Sequence, residues 1–227
     1  MVKQDLIDRS PVRKFEKLLG GGVKAGEIGV IASKKGLGKT SILVQLAIDT
    51  LLQGKVVVHV SFNQQAAHVM TWYENIFSEQ AKRKNLDKPA EVKAELMSRR
   101  IVLNFNQETV KTEQVIRTIR ALDESGIKAE SIIIDGFDFS KAAPDSMEQM
   151  KAFAKETGAT VWYSANAELD NGKLPAEYAA FESHVDVILF LNPVQDGIQI
   201  QVLKEHGNRN VNTDLKLDVK TLLLAEK

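Results

Sequence analysis

The segment from residue 28 to residue 52 constrains this chain more than any other. A short apolar run, Ile28-Gly29-Val30-Ile31-Ala32, leads into the loop Ser33-Lys34-Lys35-Gly36-Leu37-Gly38-Lys39-Thr40. Past the loop, Ile42, Leu43, Leu46, Ala47, Ile48 and Leu51 recur at the spacing that puts one apolar face on a helix, and Gly54 ends it. A buried strand passing through a glycine loop into a helix is the first half of a parallel crossover, so the sheet it belongs to needs helices on both faces. The rest of the chain keeps that alternation. Residues 56–62, 101–105, 131–135, 160–165 and 185–191 read as strands, and helical spacing covers 41–52, a stretch reaching about Phe77, 112–123 and 147–157. Residues 198–204 and 215–224, separated by polar 205–214, read as a terminal hairpin. The fold class is α/β, with three α/β/α layers, a mainly parallel sheet and an antiparallel addition at its end.

The loop also carries chemistry. Strand, glycine loop with Gly38-Lys39-Thr40, then helix is the context of a phosphate-binding loop, in which backbone N–H groups cradle an anion. Lys39 then reaches the β- and γ-phosphates, and the Thr40 hydroxyl ligates a magnesium ion between them. Asp135 closes the apolar strand Ser131-Ile132-Ile133-Ile134, where a carboxylate at the C-terminal edge of the sheet holds the same ion. Asp138, three residues on, is a weaker competitor better suited to stabilising a turn. The first position of the usual Gly-x-x-x-x-Gly-Lys-Ser/Thr pattern is Ser33, expected to restrict a turn that glycine makes freely.

Composition narrows the chemistry further. The 227 residues hold no cysteine, which excludes disulfides, zinc–thiolate sites, iron–sulfur clusters and thiol catalysis. His59, His68 and His184 show no metal-ligand spacing and read as structural. Thirty basic residues balance thirty acidic ones, so no strong global field draws nucleic acid or an anionic membrane. The N-terminal residues lack the apolar stretch of a signal peptide, and no apolar run is long enough to span a bilayer. The expectation is one cytoplasmic domain over residues 1–227, with 79–100 as a helical, mildly basic insertion.

Leu18-Leu19-Gly20-Gly21-Gly22, Gly26-Glu27-Ile28, Gly36-Leu37-Gly38-Lys39-Thr40, Gly54-Lys55-Val56-Val57, Val60-Ser61-Phe62, Ile132-Ile133-Ile134-Asp135-Gly136 and Val202-Leu203-Lys204 together resemble the RecA-like P-loop ATPase core, closest to the KaiC and DnaB-type subgroups. The similarity runs over about residues 15–225. It implies ATP and magnesium as cofactors, head-to-tail assembly into rings or filaments, and a basic residue lent by the neighbouring copy. The nucleotide-binding set it implies is Ser33, Lys34, Lys35, Gly36, Leu37, Gly38, Lys39, Thr40, Ser41, Asp135, Ser164 and Asn166, with Thr40 and Asp135 on the metal and Ser164 and Asn166 as γ-phosphate sensors. The loop also resembles the deviant Walker A of the MinD/ParA class, with Lys34 at its early lysine. The Gly26-Glu27 lead-in, the Val60-Ser61-Phe62 strand and the C-terminal hairpin favour the RecA-like assignment.

The chain departs from that pattern where hydrolysis is concerned. Relatives place a glutamate directly after the second strand, and here Asn63-Gln64 stands there. An amide accepts no proton at neutral pH, so general-base assistance of roughly 10²–10⁴-fold is missing. Glu74 and Glu168 are the carboxylates from which a replacement would come, and both otherwise read as surface residues. Near the C-terminus Lys204 fits the place of a trans-acting finger, His206 departs from it, and Arg209 is the alternative. The expectation is an ATP- and magnesium-binding protein of weak or absent hydrolysis, whose nucleotide controls self-association, as a dimer or a ring, or binding of a protein partner. An active recombinase- or helicase-type DNA-dependent ATPase and a non-binding scaffold are the alternatives. The 79–100 segment has seven bases, four acids and no aromatic residue for stacking, which disfavours nucleic acid.

Overall fold

The computed structural model describes residues 2–170, 172–211 and 214–225, and for Glu177, Arg209, Asn210 and Val211 the backbone alone. Two short helices open the chain, α1 (Lys3–Asp8) and α2 (Pro11–Leu18). The sequence reading began only at Leu18 and missed both, although α2 carries its own start signal. Pro11 sits at its first turn, and the Ser10 hydroxyl accepts from Val12 N at 3.2 Å.

From there the strands and helices alternate as expected: β1 (Ile28–Ser33), α3 (Lys39–Leu52), β2 (Val57–Ser61), α4 (Ala66–Arg83), α5 (Pro89–Ser98), β3 (Arg100–Asn104), α6 (Thr112–Glu124), β4 (Ser131–Asp135), α7 (Ser146–Thr157), β5 (Thr160–Asn166), α8 (Ala179–Glu182) and β6 (Val187–Val194). After β6 come β7 (Gly197–Glu205), β8 (Asn208–Val211) and β9 (Lys216–Leu217). The sheet order is β3-β2-β4-β5-β1-β6-β7-β8, with β9 also on β7. Strands β1 to β6 pair in parallel, and β7 runs antiparallel to β6, β8 and β9.

Side chains alternate across this sheet with period two. Ile31, Val57, Ile133 and Leu189 pack with α2, α3, α4 and α5 on one face. Val30, Val58, Ile132, Ile134 and Ile188 pack with α6 and α7 on the other. The result is a three-layer α/β/α P-loop fold in which β1 is central and all six of its residues are buried.

Residues 79–100 are largely helical, as expected: α4 runs unbroken to Arg83, and α5 leads back to edge strand β3. Several of its charges are engaged internally, with Arg83 on Glu79 and Arg100 over the ring of buried Tyr73 at 4.9 Å. The antiparallel pairing expected of 198–204 with 215–224 is present at Ile198–Leu217 and Gln199–Lys216, though only two residues of 215–224 form a strand, and 198–204 pair along their length with β6 through the turn at Gln195-Asp196. The turn signal was present in Asp196-Gly197, between a continuous apolar run and an alternating one.

Candidate functional site

Parallel pairing brings the C-terminal ends of the strands to one edge. Ser33 on β1 lies beside Asn166 on β5, and Ser61 on β2 beside Asp135 on β4. The loop leaving β1 enters α3 at Gly38, whose φ of 89° is open to glycine without steric cost. No side chain caps this helix start, so its N–H groups and positive dipole end face the loop. Ser33, contrary to expectation, imposes no strained turn: it is the last residue of β1 and fully buried.

Lys39 is folded into the loop. Its Nζ donates to Ser33 O at 3.0 Å, Ser33 Oγ at 3.1 Å and Lys34 O at 2.9 Å. Burial lowers its pKa to about 8, against the opposing pull of Asp135. A buried ammonium without a counter-ion in contact is a group awaiting an anion.

Asp135 is 1% exposed, and both carboxylate oxygens are oriented. Thr40 Oγ1 donates to Oδ2 at 2.8 Å, and Ser164 Oγ donates to Oδ1 at 2.6 Å while accepting from Gly136 N at 2.8 Å. Ser164, expected as a γ-phosphate sensor or as a hydrogen-bonding residue of the strand end, lines the cavity and bonds Asp135. Asn166 is exposed at the rim of the cavity, and its carbonyl accepts from Tyr178 Oη at 2.6 Å. Asp138 caps the turn that follows, accepting from Ser140 N at 3.0 Å.

Asn63 and Gln64 stand where the sequence placed them. The Asn63 amide lies against Gly136, so closely that a β-carbon there would sit 2.2 Å from Asn63 Cγ. Gln64 is held by its backbone: Gln64 N donates to Ser61 Oγ at 3.1 Å, and Gln64 O accepts from Asn104 Nδ2 at 2.6 Å. The cavity between these groups and the loop measures about 240 Å³. Asp135 is the only carboxylate among its described lining residues.

Two walls of that cavity escaped the sequence reading. Trp72 comes from α4, and Leu222 from the segment after β9. Leu222 adopts a left-handed backbone (φ 54°), and its carbonyl accepts from Ser41 Oγ at 2.7 Å and Gln45 Nε2 at 3.0 Å. Leu224 N donates to Gln45 Oε1 at 2.8 Å, so Gln45 holds this segment at both ends of its amide. Contacts spanning some 180 residues leave no local signature; only the polar Gln45 within an otherwise apolar helix hinted at one.

Other sequence-derived candidates lie elsewhere. Glu74 pairs with Lys93 at 3.3 Å, Glu168 pairs with Lys34 at 3.0 Å, and neither lines the cavity. Lys35 and Gly36 do line it, while Leu37 packs against the core. Lys204 Nζ donates to Glu182 O and Val185 O at 2.8 and 2.6 Å, and His206 sits between Glu27 and Glu205 at 2.8 and 3.0 Å. Burial opposes protonation of His206, but its two carboxylate partners outweigh burial and raise its pKa. Both residues are at the edge opposite the phosphate loop, occupied within their own chain. Arg209 lies in β8, its side chain outside the described residues.

The donor set fits the expected cofactors. An all-oxygen pair, the Thr40 hydroxyl and the Asp135 carboxylate, suits a hard divalent cation such as magnesium, and the uncapped helix start suits a phosphate. Fold and site together define a nucleotide-binding P-loop protein of the ATPase type. The chain belongs to the AAA domain family, whose model matches residues 2–165. No curated protein matches it. Among the described residues no helix is long and apolar enough to cross a membrane.

Proposed function

We propose that this protein is a RecA-like core of the KaiC or DnaB type that binds ATP with magnesium in the cytoplasm, turns it over slowly if at all, and uses bound nucleotide to govern self-association or binding of a protein partner. The observation that carries this reading is Asn63 packed on Gly136, beside a complete Lys39–Thr40–Asp135 set. Lys39 and the N–H groups of α3 bind and orient the phosphates, while Thr40 and Asp135 would hold a magnesium ion, which would supply charge neutralisation there. Ser164 keeps Asp135 aimed. The amide of Asn63 orients a water by hydrogen bonding but takes no proton from it, so the attacking nucleophile stays weak.

The test measures three quantities on one preparation: ATP affinity by calorimetry, steady-state phosphate release, and mass by light scattering with and without ATP–magnesium. Expected are measurable binding, turnover near background, and a nucleotide-dependent change in mass or in partner capture. Lys39→Ala should weaken ATP binding at least ~100-fold, since it removes charge-assisted bonds to phosphate worth about 1.5–3 kcal/mol each. Robust hydrolysis by clean protein overturns the slow-turnover reading, and absence of ATP binding overturns the whole.

A further inference from the structure

Phosphate chemistry accounts for only part of the cavity beside the loop. Its lining also includes an indole, Trp72, and an aliphatic side chain, Leu222. Both are only partly buried, so each has surface to offer a ligand. Both pack on the apolar cluster that α3 and α4 share, whereas Phe137, also in the lining, belongs to the cluster on the other face of the sheet. Trp72 and Leu222 therefore stand on the same side of the cavity, the side of α3.

Leu222 is held there by its backbone. Its φ of 54° is a left-handed conformation that a residue with a β-carbon keeps only where its surroundings fix it. What fixes it is α3: the Leu222 carbonyl accepts from Ser41 Oγ at 2.7 Å and from Gln45 Nε2 at 3.0 Å. With the carbonyl turned to the helix, the side chain comes to the last glycine of the loop, where a β-carbon on Gly38 would lie 3.5 Å from Leu222 Cδ2. Lys39 serves the terminal phosphates and Thr40 the ion between them. The next position, Ser41, is then left to the α-phosphate and the nucleoside attached to it, and Ser41 is the residue that Leu222 is tied to.

We propose that Trp72 and Leu222 seat the base of the bound nucleotide, and that this seat takes purines without distinguishing adenine from guanine. The proposal rests on the reading of the cavity as a nucleotide site and adds the class of base it accepts. Stacking on an indole is open to any base and is strongest for the larger face of a purine. Discrimination needs a polar group that fits one base edge and not the other: adenine donates at its 6-amino group and accepts at N1, and guanine does the reverse. The Leu222 carbonyl, which would favour adenine, is taken by two donors. Asp135, which would favour guanine, is 1% exposed and is taken by Thr40 and Ser164. The ammonium groups of Lys35 and Lys39 are drawn to phosphate charge. The amides of Asn63 and Gln64 each carry a donor and an acceptor, so turning the group over matches either edge.

The experiment is calorimetric titration of the full chain with ATP, GTP, CTP and inorganic tripolyphosphate, each with magnesium. ATP and GTP should bind within about threefold of one another, and CTP about tenfold more weakly than either. Trp72→Ala should weaken ATP and GTP about tenfold relative to tripolyphosphate, which has no base to seat, and Trp72→Phe should restore most of the loss. Fluorescence supplies a readout that a merely structural role would not move. The chain has two tryptophans, and the other, Trp162, is 5% exposed and packs on Phe15. In a Trp162→Phe background ATP and GTP should quench Trp72, and tripolyphosphate should not. Should either variant not fold, the same difference in quenching read on the unsubstituted chain carries the test. A tenfold preference for either purine overturns the lack of discrimination. Purine binding that neither responds to Trp72→Ala nor quenches Trp72, or ATP binding no tighter than tripolyphosphate, overturns the seat while the phosphate site stands. Failure of both ATP and tripolyphosphate to bind overturns the nucleotide reading and the proposal with it.

Discussion

Lys39 shows how one buried charge sets the terms of binding. Its ammonium is held by three loop oxygens and has a pKa near 8, well below that of a free lysine. Phosphate binds the charged form and raises that pKa again, so a nucleotide complex formed above pH 8 takes up a proton. ATP affinity should be flat below about pH 7.5 and fall up to tenfold per unit above pH 8. Calorimetry at pH 9 in two buffers of different ionisation heat should register the uptake. Asn63 is the second controlling residue, and Asn63→Glu places a carboxylate at Gly136 beside the cavity. Phosphate release should rise by about 10²-fold, the lower end of general-base assistance. An unchanged rate would show that more than a base is missing. These residues were legible because spacing along the chain fixes them: loop to helix start, strand to carboxylate, strand to amide. The partner of Ser164 was not, since which acceptor a hydroxyl takes at a strand end depends on the neighbouring strand, here Asp135 on β4.

Among the elements, α3 carries the widest set of duties. Twelve of its fourteen residues are buried, its first turn faces the phosphate site, and its Gln45 clamps the segment that supplies Leu222. Gln45→Ala removes both bonds and leaves a buried carbonyl and a buried N–H less satisfied. It should destabilise the fold by about 1–3 kcal/mol in chemical denaturation, and hydrogen exchange at Leu224 should accelerate. Most elements were readable from apolar periodicity, because strands buried on both faces and amphipathic helices announce themselves locally. The final strands were not. Alternation at Ile198, Ile200 and Val202 marks a strand but is silent on its partners, and β7 takes β6 on one edge through a short turn and β8 and β9 on the other. Helix α2 was missed for the opposite reason: its eight residues are too few for a period to stand out.

At the scale of the molecule, balanced charge and a mainly parallel sheet fit a nucleotide-binding unit. The order of that sheet differs from the order of the chain. β1, which leads into the phosphate loop, has as neighbours β5 and β6, both made of residues beyond 159. A fragment ending at residue 165 would retain Lys39, Thr40, Asp135 and nearly all of β5, yet it would strip β6 from β1. A strand with six buried residues would then become an open edge, ready to pair with the same edge of another fragment. Such a fragment should appear in the insoluble fraction or the void volume of a sizing column, whereas the full chain elutes as a defined species. A piece that keeps Lys39, Thr40 and Asp135 but loses β6 is therefore expected to be a template for aggregation, restrained in the full chain by a strand that lines no part of the nucleotide cavity.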